Sequence, residues 1–199
     1  CFSFSMNGKP PEYGSDDMLA IVAYHQYMAK GAKVYDSNIA GRGFSHLGKQ
    51  MPENISYDAG KKVYEDNCAV CHGQNGGGKT VDGQVVFPPL WGDASYNWGA
   101  GMTRIFTAAS FIQNNMPLGQ PGRLSDEEAW NVAYFINAHE RPQDPRYTGE
   151  IKETREKYKN FYQWSLYGQE INGQVLGDHD NTGEKPFLKP EILKSRSFD

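Results

Sequence analysis

Residues 68–72 read Cys68-Ala69-Val70-Cys71-His72, and this pentapeptide decides the class of the chain. C-x-x-C-H is the attachment sequence for c-type haem. Two thiols one helical turn apart can each add to one vinyl group of the porphyrin. The histidine that follows is then placed to offer its imidazole to the iron. Other readings of the pair fail on context. A zinc site wants a second pair of ligands nearby, and none follows. A thioredoxin-like redox pair wants a βαβ setting, which the flanking pattern lacks.

The residues around the motif agree with it. Ser56 is a good N-cap for a helix running through "YDAGKKVYEDNCAVCH", with Asp58 in its first turn. In that helix Gly60 permits close approach of a second helix, and Tyr64 offers an aromatic four residues on. After His72 comes "GQNGGGKTVDG", read as a glycine-rich loop curling around the haem edge, and then "FPPLWG", read as rigid apolar cover. A proline carbonyl here would take the histidine N–H and fix its tautomer; Pro88 and Pro89 are both candidates.

The iron's sixth ligand must come from elsewhere. Met116, in "NNMPLGQPGRLSDEE", sits on a proline-stiffened loop between two helices and is the favoured residue. Met102, in "GAGMTR", is the competitor; its other role is packing at the start of a helix over "TRIFTAASFIQNN". Met51 reads as part of a linker. His139 reads as a cap near a helix C-terminus, and His25, His46 and His179 read as surface or satisfied core residues. Asn115, beside Met116, has no basic side chain to compete for ferric iron, so a steady His/Met haem is expected. After the methionine loop, Ser125 and Glu128 form a capping box. The helix they start runs through "DEEAWNVAYFINAHE" and buries a stripe containing Trp130 or Ala129, then Ala133 and Ile136.

Composition bounds the rest. With 199 residues the chain can bury one good core, or one core and part of a second. Hydrophobic residues at 38% and charged residues at 22% are ordinary for a soluble globular protein. The net charge is −4 with no dense Lys/Arg block, so no nucleic-acid partner is expected. Apolar runs such as "MLAIVAY" are too short to span a bilayer, and no signal peptide is visible, as in a mature chain or a fragment. The cysteines number three, an odd count that argues against a disulfide framework. The third is Cys1.

An internal repeat bears on Cys1. "SMNGKPPEYGSDDMLAIVAY" (5–24) lies without a gap beneath "NMPLGQPGRLSDEEAWNVAY" (115–134). Met6 falls on Met116, Pro11 on Pro121, Ser15-Asp16 on Ser125-Asp126, and Val22-Ala23-Tyr24 on Val132-Ala133-Tyr134. The first thirty or so residues therefore read as the closing half of another haem domain, with the distal loop and last helix but no C-x-x-C-H. Cys1, just ahead of that loop, could point a thiolate at the iron, with Met6 beside it as packing or rival ligand. It could also be a lipid-bearing first residue or an idle cysteine.

Taken together, these segments resemble the dihaem thiosulfate dehydrogenase/tetrathionate reductase family, whose first haem domain is similar to that of the sulfur-oxidation cytochrome SoxA. "CFSFSMNGKP" resembles the family's Cys-x-x-Ser-Met-Asn-Gly-Lys segment. "FPPLWGDASYNWGAGM", "FIQNNMPLGQPG" and "NVAYFINAHERPQDPR" resemble its second haem domain, and "LYGQEINGQVLGDHDNTGEKPFLKP" its C-terminal extension. The resemblance implies the couple 2 thiosulfate ⇌ tetrathionate + 2 electrons. It implies that Cys1 is both catalytic sulfur and axial ligand of a first haem c, whose C-x-x-C-H is expected upstream of this stretch. Cys68, Cys71, His72 and Met116 then hold an electron-transfer haem c. A thiolate ligand holds the first haem at low potential and a methionine raises the second, so electrons run towards Met116 and out to a soluble or membrane-bound electron-transfer cytochrome.

The expected fold is mostly α: 1–32 as the closing half of a SoxA-like domain, 33–55 as linker, 56–146 as a mono-haem cytochrome c domain, and 147–199 as a helical and irregular extension strapping the domains. Within that extension "KETREKYKNFYQW" reads as helical and "GDHDNTG" as a polar turn. The dianionic sulfur substrates call for a cation. Lys9 is the first candidate, with Arg42 and Arg104 behind it. A periplasmic home follows from where bacteria attach haem to this motif. The competing functions are a mono-haem electron carrier without substrate chemistry and an interaction subunit of a larger respiratory or sulfur-oxidising complex.

Overall fold

A computed structural model describes residues 1–178 other than 34, 37 and 40–46. Arg42, His46, His179 and the tail from 179 onward lie outside the described residues, so the readings given to them stay expectations. The described chain is mostly helical, as its sequence implied, and its strands form two small hairpins.

The helix ahead of the motif, α3 (Tyr57–Asn67), begins where its cap predicts: the Ser56 hydroxyl accepts the Ala59 N–H at 3.2 Å. Cys68 closes α3 and opens the short α4 (Ala69–His72). Downstream, α5 (Ile105–Asn115) and α6 (Asp126–Asn137) complete the main helices. Ser125 and Glu128 form the full capping box at the start of α6. α6 ends at Asn137, short of the expected His139, and the chain turns away toward Pro142. A Cβ at Gly60 would stand 2.0 Å from the Asn131 carbonyl oxygen, so only a hydrogen lets α3 cross α6 here. α6 buries Ala129, Trp130, Val132, Ala133, Phe135 and Ile136, which makes it the central helix of the core.

The structure departs from the sequence reading in several places. The glycine-rich stretch after His72 is not loop throughout. Lys79–Val81 (β1) pairs antiparallel with Gln84–Phe87 (β2) across Asp82-Gly83, both with positive φ, the backbone that a tight two-residue hairpin turn requires. The helix read from Thr103 starts at Ile105 instead. Thr103 Oγ1 donates to Ala100 O at 2.7 Å in a preceding 3-10 turn, and Ile105 N–H bonds to Trp164 O, so the backbone before Ile105 is already committed.

In the C-terminal region the helical expectation holds with a break at Tyr158, giving α7 (Ile151–Lys157) and α8 (Lys159–Tyr162). A second hairpin follows, β3 (Glu170–Ile171) with β4 (Gln174–Val175). Tyr162, Leu166, Tyr167 and Leu176 join the same core as the haem-motif helices. Buried Asp144 anchors this region, holding Arg146 at 2.7 Å and accepting the Tyr162 hydroxyl.

At the other end, Phe2–Met6 forms a single helical turn (labelled αN) stopped by Asn7 in the left-handed region, and Asp16–Met28 forms a longer helix (α2). Neither contains a buried residue.

Candidate haem site

Cys68, Cys71 and His72 lie on one turn, tied by bonds from the Cys71 and His72 N–H groups to Cys68 O at 3.1 and 2.9 Å. Cys68 is itself held by its N–H to Tyr64 O at 2.8 Å, and the Tyr64 hydroxyl donates to Gly73 O at 2.7 Å, so α3 clasps both ends of the motif. Burial, and then the neighbouring Cys71, push the Cys68 thiol up to about 11. His72 Nδ1 bonds to the Pro88 carbonyl at 2.9 Å, which decides between the two candidate prolines. That carbonyl can only accept, so Nδ1 carries the proton and Nε2 is left as the nitrogen that can ligate a metal. Among the described residues no three His, Cys, Asp or Glu side chains converge as a free-ion site would need.

The loop carrying Pro88 is fixed from both sides. Gly78 N–H bonds to His72 O at 2.8 Å and Leu90 N–H to Gly76 O at 2.7 Å. A Cβ at Gly76 would enter the Trp91 ring, and one at Gly78 would meet Phe87 O, so these two glycines let the loop lie flat against the apolar cover. From beneath, Arg141, only 1% exposed, donates to Leu90 O and Ile136 O, and its guanidinium lies 4.3 Å from the Tyr96 ring centroid. Sequence reading missed Arg141, because a buried cation held by carbonyls and rings leaves no charge pattern. His139 does cap its helix, with Nδ1 donating to Phe135 O at 2.7 Å, and its ring also stacks on Trp91 at 4.2 Å. Desolvation pushes its pKa below the usual imidazole value, with Arg141 adding to the effect.

Met116 stands at the C-cap of α5 with extended backbone, at the entry to the predicted loop, while Met102 lies in the 3-10 turn Gly101–Thr103. Cys68, Leu90, Trp91, Met102 and Met116 all pack on the core yet stay only partly covered. Half-covered apolar side chains of this kind, with a histidine whose outer nitrogen is uncommitted, suit a flat apolar group that would finish covering them.

Cys1 is exposed and forms the N-cap of αN, its carbonyl accepting the Ser5 N–H at 3.2 Å. The αN turn sits on the loop Ser95–Gly99 of the C-x-x-C-H unit, through a bond from Asn97 N–H to Ser5 O at 2.8 Å. Lys9 is exposed, two residues beyond the Asn7 cap. The Arg104 guanidinium lies against the Phe106 and Phe161 rings at 5.5 and 5.4 Å, and burial lowers its pKa.

Comparison with known proteins follows the same lines. The family described as cytochrome c oxidase, cbb3-type, subunit III matches residues 56–136, the segment built from α3 to α6. Thiosulfate dehydrogenases of Thiomonas intermedia and Stutzerimonas stutzeri are 49% and 47% identical over 89% of the chain. The solved thiosulfate dehydrogenase (TsdBA) from Marichromatium purpuratum superposes with a TM-score of 0.81 at 46% identity, again over 89% of the chain. This chain is a homologue of the thiosulfate dehydrogenases. It carries a cytochrome c domain, of the kind that binds haem c covalently. It spans 56% and 57% of the length of the two curated relatives and 39% of the solved chain.

Proposed function

We propose that this chain takes part in the interconversion of thiosulfate and tetrathionate, with Cys1 as the reacting sulfur and the C-x-x-C-H domain as the electron relay. The observation that carries the reading is the seating of the Cys1 turn on the relay domain, through Asn97 and the loop around it. Cys68 and Cys71 would hold haem c through two thioethers, with His72 Nε2 and Met116 as the side chains that would ligate its iron. The haem supplies a one-electron acceptor. Cys1 would also ligate the iron of a second haem c, belonging to the domain that residues 1–32 would close. The surface of α2 supports that assignment: Leu19, Val22, Tyr24, Tyr27 and Met28 are all exposed on a helix whose repeat counterpart is buried.

The Cys1 thiolate and one thiosulfate form a sulfur–sulfur bond, Cys1–S–S–SO3⁻, and release two electrons. The outer sulfur of a second thiosulfate attacks that bond, releasing tetrathionate and regenerating the thiolate. Each substrate carries two negative charges, and Lys9 is the nearby cation in sequence that would offset them. Residues 33–55 link the two haem units and the C-terminal extension straps them. No helix among the described residues is long and apolar enough to cross a membrane, and the home assigned is the periplasm, with an electron-transfer cytochrome as acceptor.

The test is stoichiometric. The haem-loaded protein, mixed with thiosulfate and ferricyanide, is expected to form one tetrathionate per two thiosulfates consumed, and thiosulfate alone is expected to reduce its haem. A haem reduced by dithionite but indifferent to thiosulfate, with no tetrathionate formed, would mark a carrier without substrate chemistry.

A further inference from the structure

Asn97 is fully buried, yet it lies in a loop and belongs to no element. Its side-chain oxygen accepts the Gly99 N–H at 2.9 Å, within its own loop. Because a backbone N–H can only donate, the oxygen must face that way, and the amide nitrogen is turned toward the αN turn. There it donates to Asn7 Oδ1 at 2.8 Å and to Ser3 O at 3.4 Å, while the Asn97 backbone N–H donates to Ser5 O at 2.8 Å. One residue thus binds three positions of an eight-residue segment that has no buried side chain of its own. Gly99 completes the seat, since a Cβ there would stand 2.8 Å from Phe4 O and 3.1 Å from Asp144 Oδ1.

The same loop is tied to the rest of the domain. Trp98 N–H bonds to Pro142 O at 2.9 Å, and Trp98 Nε1 donates to Glu140. Glu140 also accepts the Gly177 N–H at 2.7 Å. The loop therefore has little freedom, and whatever Asn97 holds is held in register with the C-x-x-C-H domain. The αN turn contains no buried residue, so these polar bonds carry much of its position.

We infer that Asn97 is a positioning residue: it locks the turn carrying Cys1 to the relay domain and so fixes where the reacting sulfur stands. The inference rests on the reading of Cys1 given above, and the experiment separates the two. Amide hydrogen exchange is followed by mass spectrometry on haem-loaded wild type, Asn97→Ala and Asn7→Gly. The second variant removes the same hydrogen bond from the partly exposed side and suits the left-handed backbone at position 7. Both variants are expected to speed exchange in residues 2–8 by about tenfold or more, with α3 and α6 and the absorption of the haem at Cys68 and Cys71 unchanged. The double variant is expected to be no faster than Asn97→Ala alone. In turnover, both single variants are expected to lower kcat about tenfold with KM unchanged, because the sulfur is displaced while substrate capture is not.

Unchanged exchange in residues 2–8 in both variants would overturn the inference. So would faster exchange across α3 and α6 in Asn97→Ala with Asn7→Gly silent, which would make Asn97 a prop for its own loop only. Wild-type kcat in the loosened variants would overturn it too, provided that Cys1→Ser is inactive. If Cys1→Ser turns over normally, the reading of Cys1 has failed, and the exchange measurement alone decides whether Asn97 holds the turn.

Discussion

Helix α2 starts at Ser15, whose hydroxyl accepts the Met18 N–H at 3.3 Å; α6 starts at Ser125, whose hydroxyl accepts the Glu128 N–H at 3.2 Å. Both then run through Val-Ala-Tyr in one register. Yet α6 is the most buried helix among the described residues and α2 buries nothing. The difference lies in what faces them. α6 meets α3 at Gly60, where the Asn131 backbone passes through the space a side chain would fill, and it shares the core with α5. α2 has no such neighbour among the described residues. Capping sets where a helix begins; a packed partner sets what it contributes.

Substitutions at matched positions sharpen that contrast, the largest effect coming first. Gly60→Ala is expected to cost about 3 kcal/mol or more in chemical denaturation, because the added methyl collides with backbone that cannot move aside. A loss under about 1 kcal/mol would show that the helices do not cross as described. Ala133→Leu, in the packed interior, is expected to cost about 1–3 kcal/mol, while the aligned Ala23→Leu changes the stability of this chain by less than about 0.5 kcal/mol. Equal effects would mean that α2 is covered after all. Ser125→Ala is expected to cost about 1 kcal/mol, and Ser15→Ala only a few tenths in the global transition, since fraying of an unpacked helix leaves the core intact.

The smallest effect is a pH slope. His139 is held neutral in the fold, so the unfolded chain binds the extra proton as pH falls. The stability this gives is whole above the usual imidazole value near 6.5 and is lost as pH drops from there toward the lower folded value. His139→Phe keeps a ring against Trp91 and should flatten that acid slope in urea titrations at stepped pH. An unchanged slope would assign it to other groups.

How much of this was legible beforehand varied with the kind of interaction. The C-x-x-C-H unit, its Ser56 cap, the need for glycine at 60 and the Ser125 box are local signals, read in one turn of chain, and the structure shows each of those helix signals in place. The Asp82-Gly83 hairpin was also local and was overlooked inside a run of glycines, although that dipeptide is a turn signal in its own right. Asn97 and Arg141 were beyond reach. Asn97 bonds to Asn7, distant in sequence, and Arg141 bonds to carbonyls that carry no side-chain signature. Polar joints of this kind have no periodicity, so they emerge only when the chain is folded. Tyr162 likewise finds Asp144 only once α8 has packed.

The proposed function divides along the same line, with the relay assigned to the buried half and the reacting sulfur to the exposed one. Cys1→Ser tests this division most directly, by thiosulfate turnover and the haem absorption spectrum of the same preparation. The account predicts that tetrathionate formation stops while the spectrum of the haem at Cys68 and Cys71 is unaltered. Wild-type turnover in that variant would contradict it.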